Sequence, residues 1–502
     1  MRDMQPPTTS RRPAAPPAVL ALLVFLLLIA PGDARPAAAP ARPNIVVLLC
    51  DDLGYGDLEC YGHPRIMTPN LNRLAADGIR FTDCYSAAPV CSPSRVGLLT
   101  GRSPNRAGVY DWIPSASTPR PDAREQVHLR AGEFTLPRLL KDAGYATCMA
   151  GKWHCNSRFN QPEQPQPGDF GFDHWLATQN NAGPSHENPR NFVRNGDRVG
   201  PLAGFSCQLV VDEAIHWLER QPNPGPPFFL YVAFHEPHEP VASPPDLVAQ
   251  YRPLARTDDE AQFFANVANV DQAVGRLLRA LDESGRRDNT LIVFTSDNGP
   301  ETLDRYRGAN RSYGRPGPLR GMKLHTHDGG FRVAGILNWK GRVAPAQIVR
   351  TPVSSLDLLP TFAALAGAGV PSGRVLDGTD LRPLLEGRPL IRHQPLVWAY
   401  YNALNEARVA MRDGRWKVLA QLDHGEVARF ENLTPETLPI VRDAALTDLE
   451  IYDAEADPGE AANLAETRPE LARELAAKLA ARYRELAGNS PVWTPGVPPD
   501  SR

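Results

Sequence analysis

The sequence predicts an α/β protein: a large, mostly parallel sheet sandwiched by helices, then a smaller C-terminal α+β domain carrying an antiparallel sheet. Three observations lead there. Short apolar runs recur without polar alternation, as strands buried on both faces require. Helical patterns with clear start and stop residues separate these runs, the signature of a parallel sheet covered on both sides. Past residue 375 the pattern changes to strands joined by a tight hairpin and a closing helix.

The strands come first. "NIVVLLC" ends in Asp51-Asp52, and "YATCMA" runs into Gly151-Lys152-Trp153-His154. "PFFLYVAF" ends in His235-Glu236-Pro237-His238, and "TLIVFTS" ends in Asp297-Asn298-Gly299. Between them, "TPNLNRLAADG" has Thr68 before Pro69 and Gly78 as terminator, and "TLPRLLKDAG" repeats that grammar from Thr135. "FFANVANVDQAVGRLLRALDES" is a longer amphipathic helix. In the C-terminal part "PLVWAYYN" and "ARVAMRDGRWKVLAQL" read as antiparallel strands, with Asp413-Gly414 at the hairpin turn. "RPELARELAAKLAARYREL" reads as the closing helix, and residues 491–502 as a Pro-rich tail.

The N-terminus differs in kind. Arg2, Arg11 and Arg12 precede "AVLALLVFLLLIA", and small residues follow. A basic stretch, an apolar run too short for a comfortable span and small residues read as a secretory signal peptide. The expected organisation is therefore a signal over residues 1–34, a main α/β domain over 42–375, an α+β domain over 376–490 and the tail. The expected location is exported, periplasmic or secreted, with no membrane span after cleavage. A net charge of −3 over 502 residues carries no nucleic-acid signature. Seven cysteines in an exported chain permit disulfides, and the odd count leaves at least one unpaired.

Four apolar strands each deliver polar side chains at their C-terminal ends, where ligands bind in open α/β sheets. Each piece alone is an ordinary turn or cap; their joint occurrence points to one crevice. Asp51, Asp52, Asp297 and Asn298 offer only oxygen donors, a set for Ca²⁺ or Mg²⁺ ahead of zinc. Lys152, His154 and His238 add cationic and proton-handling groups. The stretch "CSPSRVGLLTGR" places Cys91 at the mouth of a short helix, with Ser92 as cap, Pro93 in the first turn and Gly101 as terminator. A helix N-terminus beside Arg95 suits a tetrahedral oxyanion. A structural thiol is the alternative reading of Cys91.

At this point the motifs resemble those of the type I sulfatases, formylglycine-dependent members of the alkaline-phosphatase-like superfamily. "CSPSRVGLLTGR" matches their signature. "NIVVLLCDDLGYGDLECYG", "LPRLLKDAGYATCMAGKWH", "FFLYVAFHEPHEP", "VFTSDNGPE" and "LRGMKLHTHDGGFRV" resemble further blocks of the family, in its order, across residues 43 to 465. The resemblance implies that a formylglycine-generating enzyme oxidises Cys91 to Cα-formylglycine, reading Pro93 and Arg95. It implies one Ca²⁺ held by Asp51, Asp52, Asp297 and Asn298, with the modified Cys91 beside the same ion. It further implies that the hydrated aldehyde attacks sulfur with Asp297 as proton acceptor, and that Arg95 steadies the hydrate. Lys152, Lys323 and His238 would grip sulfate, His238 or Lys323 would protonate the leaving alcohol, and His154 would help expel sulfate. Asn181 falls near a sulfate-contacting position.

Three positions depart from the family's pattern. Cys155 stands where an aliphatic residue is expected, which places a thiol close to the site. Asp328 replaces a commoner glutamate, with consequences for the orientation of Lys323. The segment "ATQNNAGPSHENPRNF" lies where relatives build the substrate pocket, and its polarity favours carbohydrate over a flat aromatic. The loop 301–320 carries Arg305, Arg307, Arg311, Arg315 and Arg320, a candidate grip on an anionic polysaccharide. The expected substrate is a sulfated small molecule or polysaccharide. Alternatives are a phosphate or phosphonate ester hydrolase of the same superfamily, disfavoured by Asn298 where that group tends to carry histidine; a non-catalytic binder of sulfated glycans; and a cysteine-thiol hydrolase.

Overall fold

The computed structural model describes residues 42–116, 123–423 and 429–494. The segment read as a signal, residues 1–34, and the last part of the tail, 495–502, lie outside the described residues. Eleven strands form the main sheet: β1 Asn44–Asp51, β2 Ile79–Tyr85, β3 Ala146–Lys152, β4 His174–Thr178, β5 Phe192–Arg194, β6 Asp197–Val199, β7 Phe228–Pro237, β8 Thr290–Ser296, β9 Arg332–Trp339, β10 Gln347–Val349 and β11 Val353–Ser354. Their order is β10-β2-β9-β8-β1-β7-β3-β4-β5-β6, with β11 beside β2. The central run β8-β1-β7-β3-β4 is parallel, whereas β9 runs antiparallel to both of its neighbours.

Those central strands are buried on both faces, which is why their sequences read as unbroken apolar runs. Ile45, Val47 and Leu49 enter one hydrophobic cluster, while Val46 and Leu48 enter the cluster on the other side. The helix Asp258–Glu283 covers the second face; its Thr257 side chain accepts from the Glu260 N–H, and three acidic residues occupy its first turn, where the helix dipole favours them. Thr135 caps Leu136–Asp142 in the same manner, accepting from Arg138 N–H.

The second sheet is antiparallel, in the order β12 Leu396–Ala399, β13 Val409–Asp413, β14 Trp416–Asp423, β15 Ala445–Asp453. The β13–β14 turn is Gly414-Arg415, one residue later than the expected Asp413-Gly414: Gly414 takes φ +55, while Asp413 is the last residue of β13 and pairs with Trp416. The closing helix spans Pro469–Gly488, and beyond it Trp493 is buried, its ring beside Arg130 and His128 and its indole N–H donating to Gly108 O. No helix among the described residues is long and apolar enough to cross a membrane. All seven cysteines carry free thiols. The pairing that export permits is therefore absent among them.

Candidate active site

The four strands singled out by their polar ends, β8, β1, β7 and β3, are adjacent in the sheet. Parallel pairing puts their C-terminal ends on one edge, so residues nearly 250 positions apart meet there. The backbone at this edge is strained in a pattern confined to few residues. Asp52, His154 and Leu324 have φ of 62, 52 and 68, a region that costs a non-glycine residue about 1–3 kcal/mol. Gly151, just before Lys152, adopts φ +117, and a Cβ there would lie 1.8 Å from Ala233 O. Only glycine lets β3 approach β7 closely enough at that point.

The helix bearing Cys91 spans Cys91–Thr100 and is buried throughout. The cap is not Ser92. The helix begins at Cys91 with Val90 in extended conformation as the cap residue, and Ser92 Oγ accepts from Ile113 N–H at 3.0 Å. Proline lacks an N–H and is tolerated throughout the first turn, so Pro93 does not by itself locate the cap. Gly101 ends the helix at φ +64, as expected.

Three carboxylates converge on Cys91. One ligand atom each from Asp51, Asp52, Asp297 and Cys91 lie within 4.8 Å of one another. Cys91 Sγ is 3.3 Å from Asp51 Oδ1 and 4.0 Å from Asp52 Oδ1. Asn298 Nδ2 donates to Asp52 Oδ1 at 2.7 Å, while its carbonyl Oδ1 is buried and has no hydrogen-bond partner among the described residues. A buried amide oxygen without a donor, next to three clustered carboxylates, is the environment a hard cation satisfies.

Cations ring this centre. Arg95, wholly buried, directs Nε and Nη2 at Asp297 Oδ2 (2.9 and 2.7 Å) and Nη1 at Lys152 O (2.9 Å). Lys152 Nζ donates to Asp51 Oδ2 at 2.5 Å and lies 3.4 Å from Asn181 Oδ1. Lys323 Nζ donates to Asp52 Oδ2 at 2.8 Å. His238 Nε2 lies 3.4 Å from the same oxygen, and its Nδ1 lies 2.7 Å from Glu239 O. A carbonyl only accepts, so Nδ1 carries the proton and Nε2 of the neutral ring faces Asp52. By the same logic His154 donates from Nε2 to Ile113 O at 2.9 Å, and its Nδ1 has no hydrogen-bond partner among the described residues.

These surroundings pull the ionisations apart. Burial opposes the charge on Asp51, but Lys152, His238, Arg95 and Lys323 together outweigh it and hold the carboxyl well below its ordinary range. Burial and the neighbouring Asp51 push Asp297 up to about 7 against Arg95. Burial, then Lys152 and Arg95, hold His154 well below the ordinary histidine value, so it is neutral. Burial and Asp51 raise the Cys91 thiol well above its usual range, the opposite of what a thiolate nucleophile needs.

Other positions behave differently from their expectations. Asp328 does not touch Lys323; it accepts from Tyr85 OH (3.0 Å), Lys417 Nζ (2.9 Å) and Arg332 Nη1 (3.2 Å), on the side of the second sheet. Cys155 turns into the hydrophobic core, with Sγ bonded to Trp153 O at 3.3 Å. In the arginine-rich loop, Arg305 is spent on Glu301 and Arg311 on Asp259, and Arg320 bonds Tyr452 OH and Glu460 O. Sequence reasoning passed over Glu301, which lies 3.9 Å from Lys323 Nζ, although it follows Asn298 by three residues. It also passed over Glu236, which accepts from Ser206 Oγ and Cys207 N–H and so braces the end of β7 against the helix Ser206–Arg220.

Comparison with known proteins shows the family. The family model "Sulfatase" matches residues 43–368. Human arylsulfatase A is 36% identical over 459 residues, covering 85% of this chain and 84% of that protein. N-acetylgalactosamine-6-sulfatase from Canis lupus familiaris is 36% identical over 381 residues, covering 73% and 70%. Among solved structures, Ps i-CgsB in complex with k-i-k-neocarrahexaose superposes with a TM-score of 0.75 at 26% identity, covering 91% of this chain and 94% of that one. The chain belongs to the sulfatase family of the alkaline-phosphatase-like superfamily, and is a sulfuric ester hydrolase.

Proposed function

We propose that this protein is an exported sulfatase that removes sulfate from sulfated carbohydrates, with aryl sulfates as small surrogate substrates. In this reading Cys91 matures to Cα-formylglycine, and Asp51, Asp52, Asp297 and Asn298 hold one Ca²⁺. One observation carries it: three carboxylates and an unpartnered amide oxygen converge on Cys91 inside a ring of buried cations. The ion supplies Lewis acidity towards sulfate oxygens, and the aldehyde supplies, as its hydrate, an oxygen nucleophile that a thiol does not.

The chain's own groups account for the rest. Lys152, at the end of β3, and Lys323, in a turn of the loop between β8 and β9, reach the cluster and match the negative charge of a sulfate. Arg95 holds Asp297 in a fixed orientation, so its carboxylate is poised to accept a proton. His154, neutral with a free Nδ1, is a base facing the buried centre. His238 presents Nε2 beside Lys323; the Lys323 ammonium carries the proton for the leaving alcohol, and His238 can deliver one only after its Nε2 has taken one up. Asn181 bridges Lys152 to the Glu239 carbonyl and joins the polar segment after β4 to the site, which supports a carbohydrate rather than a flat aromatic.

The test is made on protein exported from a host with an active formylglycine-generating enzyme. Peptide mass spectrometry is expected to find an aldehyde in place of the residue-91 thiol, and the protein to release sulfate from sulfated sugars. A free thiol at residue 91, with a control sulfatase modified in the same cells, overturns the proposal.

A further inference from the structure

A cleft lies at the opposite end of the sheet, about 20 Å from the carboxylate cluster along the length of β8. Its volume is about 730 Å³, enough for several sugar units, and it opens between the helix Pro69–Ala76, the C-terminal half of Asp258–Glu283 and the chain following β9. Five cations line it: Arg73, Arg279, Arg287, Lys340 and Arg342. Arg73 pairs with Asp77 at 3.5 Å, and Lys340 with Asp288 at 2.9 Å and Asp282 at 3.8 Å, which leaves Arg279, Arg287 and Arg342 as the lining cations without an ion pair among the described residues.

The floor is built rather than incidental. Arg287 is 8% exposed and donates to Asn338 Oδ1. Asn338, wholly buried, is anchored in turn through Nδ2 to Leu74 O at 3.2 Å and Asp77 O at 2.8 Å. Arg287 makes no ion pair among the described residues, and burial lowers its affinity for its proton despite nearby Asp282 and Asp288. A buried guanidinium without a carboxylate in contact is costly unless an anion joins it. Arg279 and Arg342 are exposed and likewise unpaired among the described residues. Helix C-termini attract cations by themselves, which accounts for Arg73 and Arg279 but not for Arg287 or Arg342, which lie on neither helix. Leu74, Leu278 and Val343 add apolar wall suited to a sugar face.

We infer that this cleft is a second binding site, remote from the reacting ester, for a sulfated or carboxylated oligosaccharide stretch of the substrate chain. The inference rests on the reading that the substrate is an anionic glycan. The arginines match sulfate and carboxylate by fixed, planar donors, and tethering a long chain at two points raises the effective concentration of its next ester at the catalytic edge.

The test titrates a fluorescent sulfated hexasaccharide into the full chain carrying Cys91→Ala, which removes turnover. Two binding events per chain are expected. The double variant Arg279→Glu/Arg342→Glu, both residues exposed, is expected to lose one event and to weaken retention on sulfated polysaccharide about tenfold at low salt. In the Cys91 background the same pair leaves kcat/KM on a small aryl sulfate unchanged and raises KM on the polymer. A single event in the parent, two unaltered events in the double variant, or equally tight binding of an oligonucleotide of the same charge overturns the inference. Aryl sulfate turnover by the unsubstituted protein reports separately on the proposed function.

Discussion

Two buried charge clusters of similar composition do opposite jobs in this molecule. At the catalytic edge Asp51, Asp52 and Asp297 crowd together and their cations stand around them. Between the two sheets, Asp83, Asp328 and Glu460 alternate with Arg332, Arg412 and Lys417. Arg412 and Arg332 both pair with Asp83 (2.9 and 3.1 Å), and Lys417 lies between Asp328 (2.9 Å) and Glu460 (3.5 Å). Lys417 Nζ also sits 4.2 Å from the centre of the Phe331 ring, itself stacked on Trp398. Three acids meet three bases there, each acid in contact with a cation. In the first cluster like charges are held together. An acid pushed up to about 7 and a positive φ occur in both clusters, at Asp297 and Asp52 in the first and at Glu460 in the second, so the arrangement of charge is what separates them. Alternation of charge makes a lock, whereas segregation of charge makes a site for something else.

The sharpest way to break this contrast is to neutralise one residue in each cluster. Asp297→Asn is expected to lower kcat/KM for an aryl sulfate by about 1000-fold or more, since a group at the reacting centre is removed. Its melting temperature is expected to hold or rise, because a like-charge contact is relieved. A melting temperature that falls sharply would show the first cluster to be a structural lock as well. Lys417→Met is expected to do the reverse. It leaves Asp328 and Glu460 buried with no cation between them, at a cost of about 3–5 kcal/mol. Denaturant titration should show that loss, with turnover per folded molecule within twofold of the parent and partial recovery on adding Asp328→Asn.

The smallest expected effect lies outside both clusters and calibrates them. Burial opposes ionisation of Glu213, but hydrogen bonds from His174 and Arg194 outweigh it and lower its value from 4.5 to about 2. A lowered acid stabilises the fold when ionised, so its contribution is complete above pH 4.5 and fades as pH falls towards 2. Glu213→Gln should flatten the acid limb of the stability–pH curve by this one group's share. An unchanged slope would place that proton uptake elsewhere.

Much of the architecture was legible because buried parallel strands have a simple signature. The runs before Asp51, Lys152, His238 and Asp297 read as strands, and they are β1, β3, β7 and β8. The polar ends were legible for the same reason: an acidic or basic residue directly after such a run has left the core. What escaped was anything set by partners distant in sequence. Asp328 reads as part of the Lys323 block, yet its ligands come from β2, β9 and β14. Three arginines of the 301–320 loop look free in one dimension; in three, Arg305 and Arg311 are paired with carboxylates and Arg320 is tied to a hydroxyl and a backbone carbonyl. The Ser92 cap failed because Pro93 is compatible with several first-turn positions.

The sequence by itself determined the class of fold, the residues delivered to one sheet edge and the chemical type of the donors, because these follow from hydrophobic pattern and side-chain chemistry. The tertiary structure alone decided which of those groups touch, which carbonyl orients each histidine, and which cations are already paired. Those are properties of distance and burial, and a chain carries neither until strands separated by hundreds of residues are laid side by side.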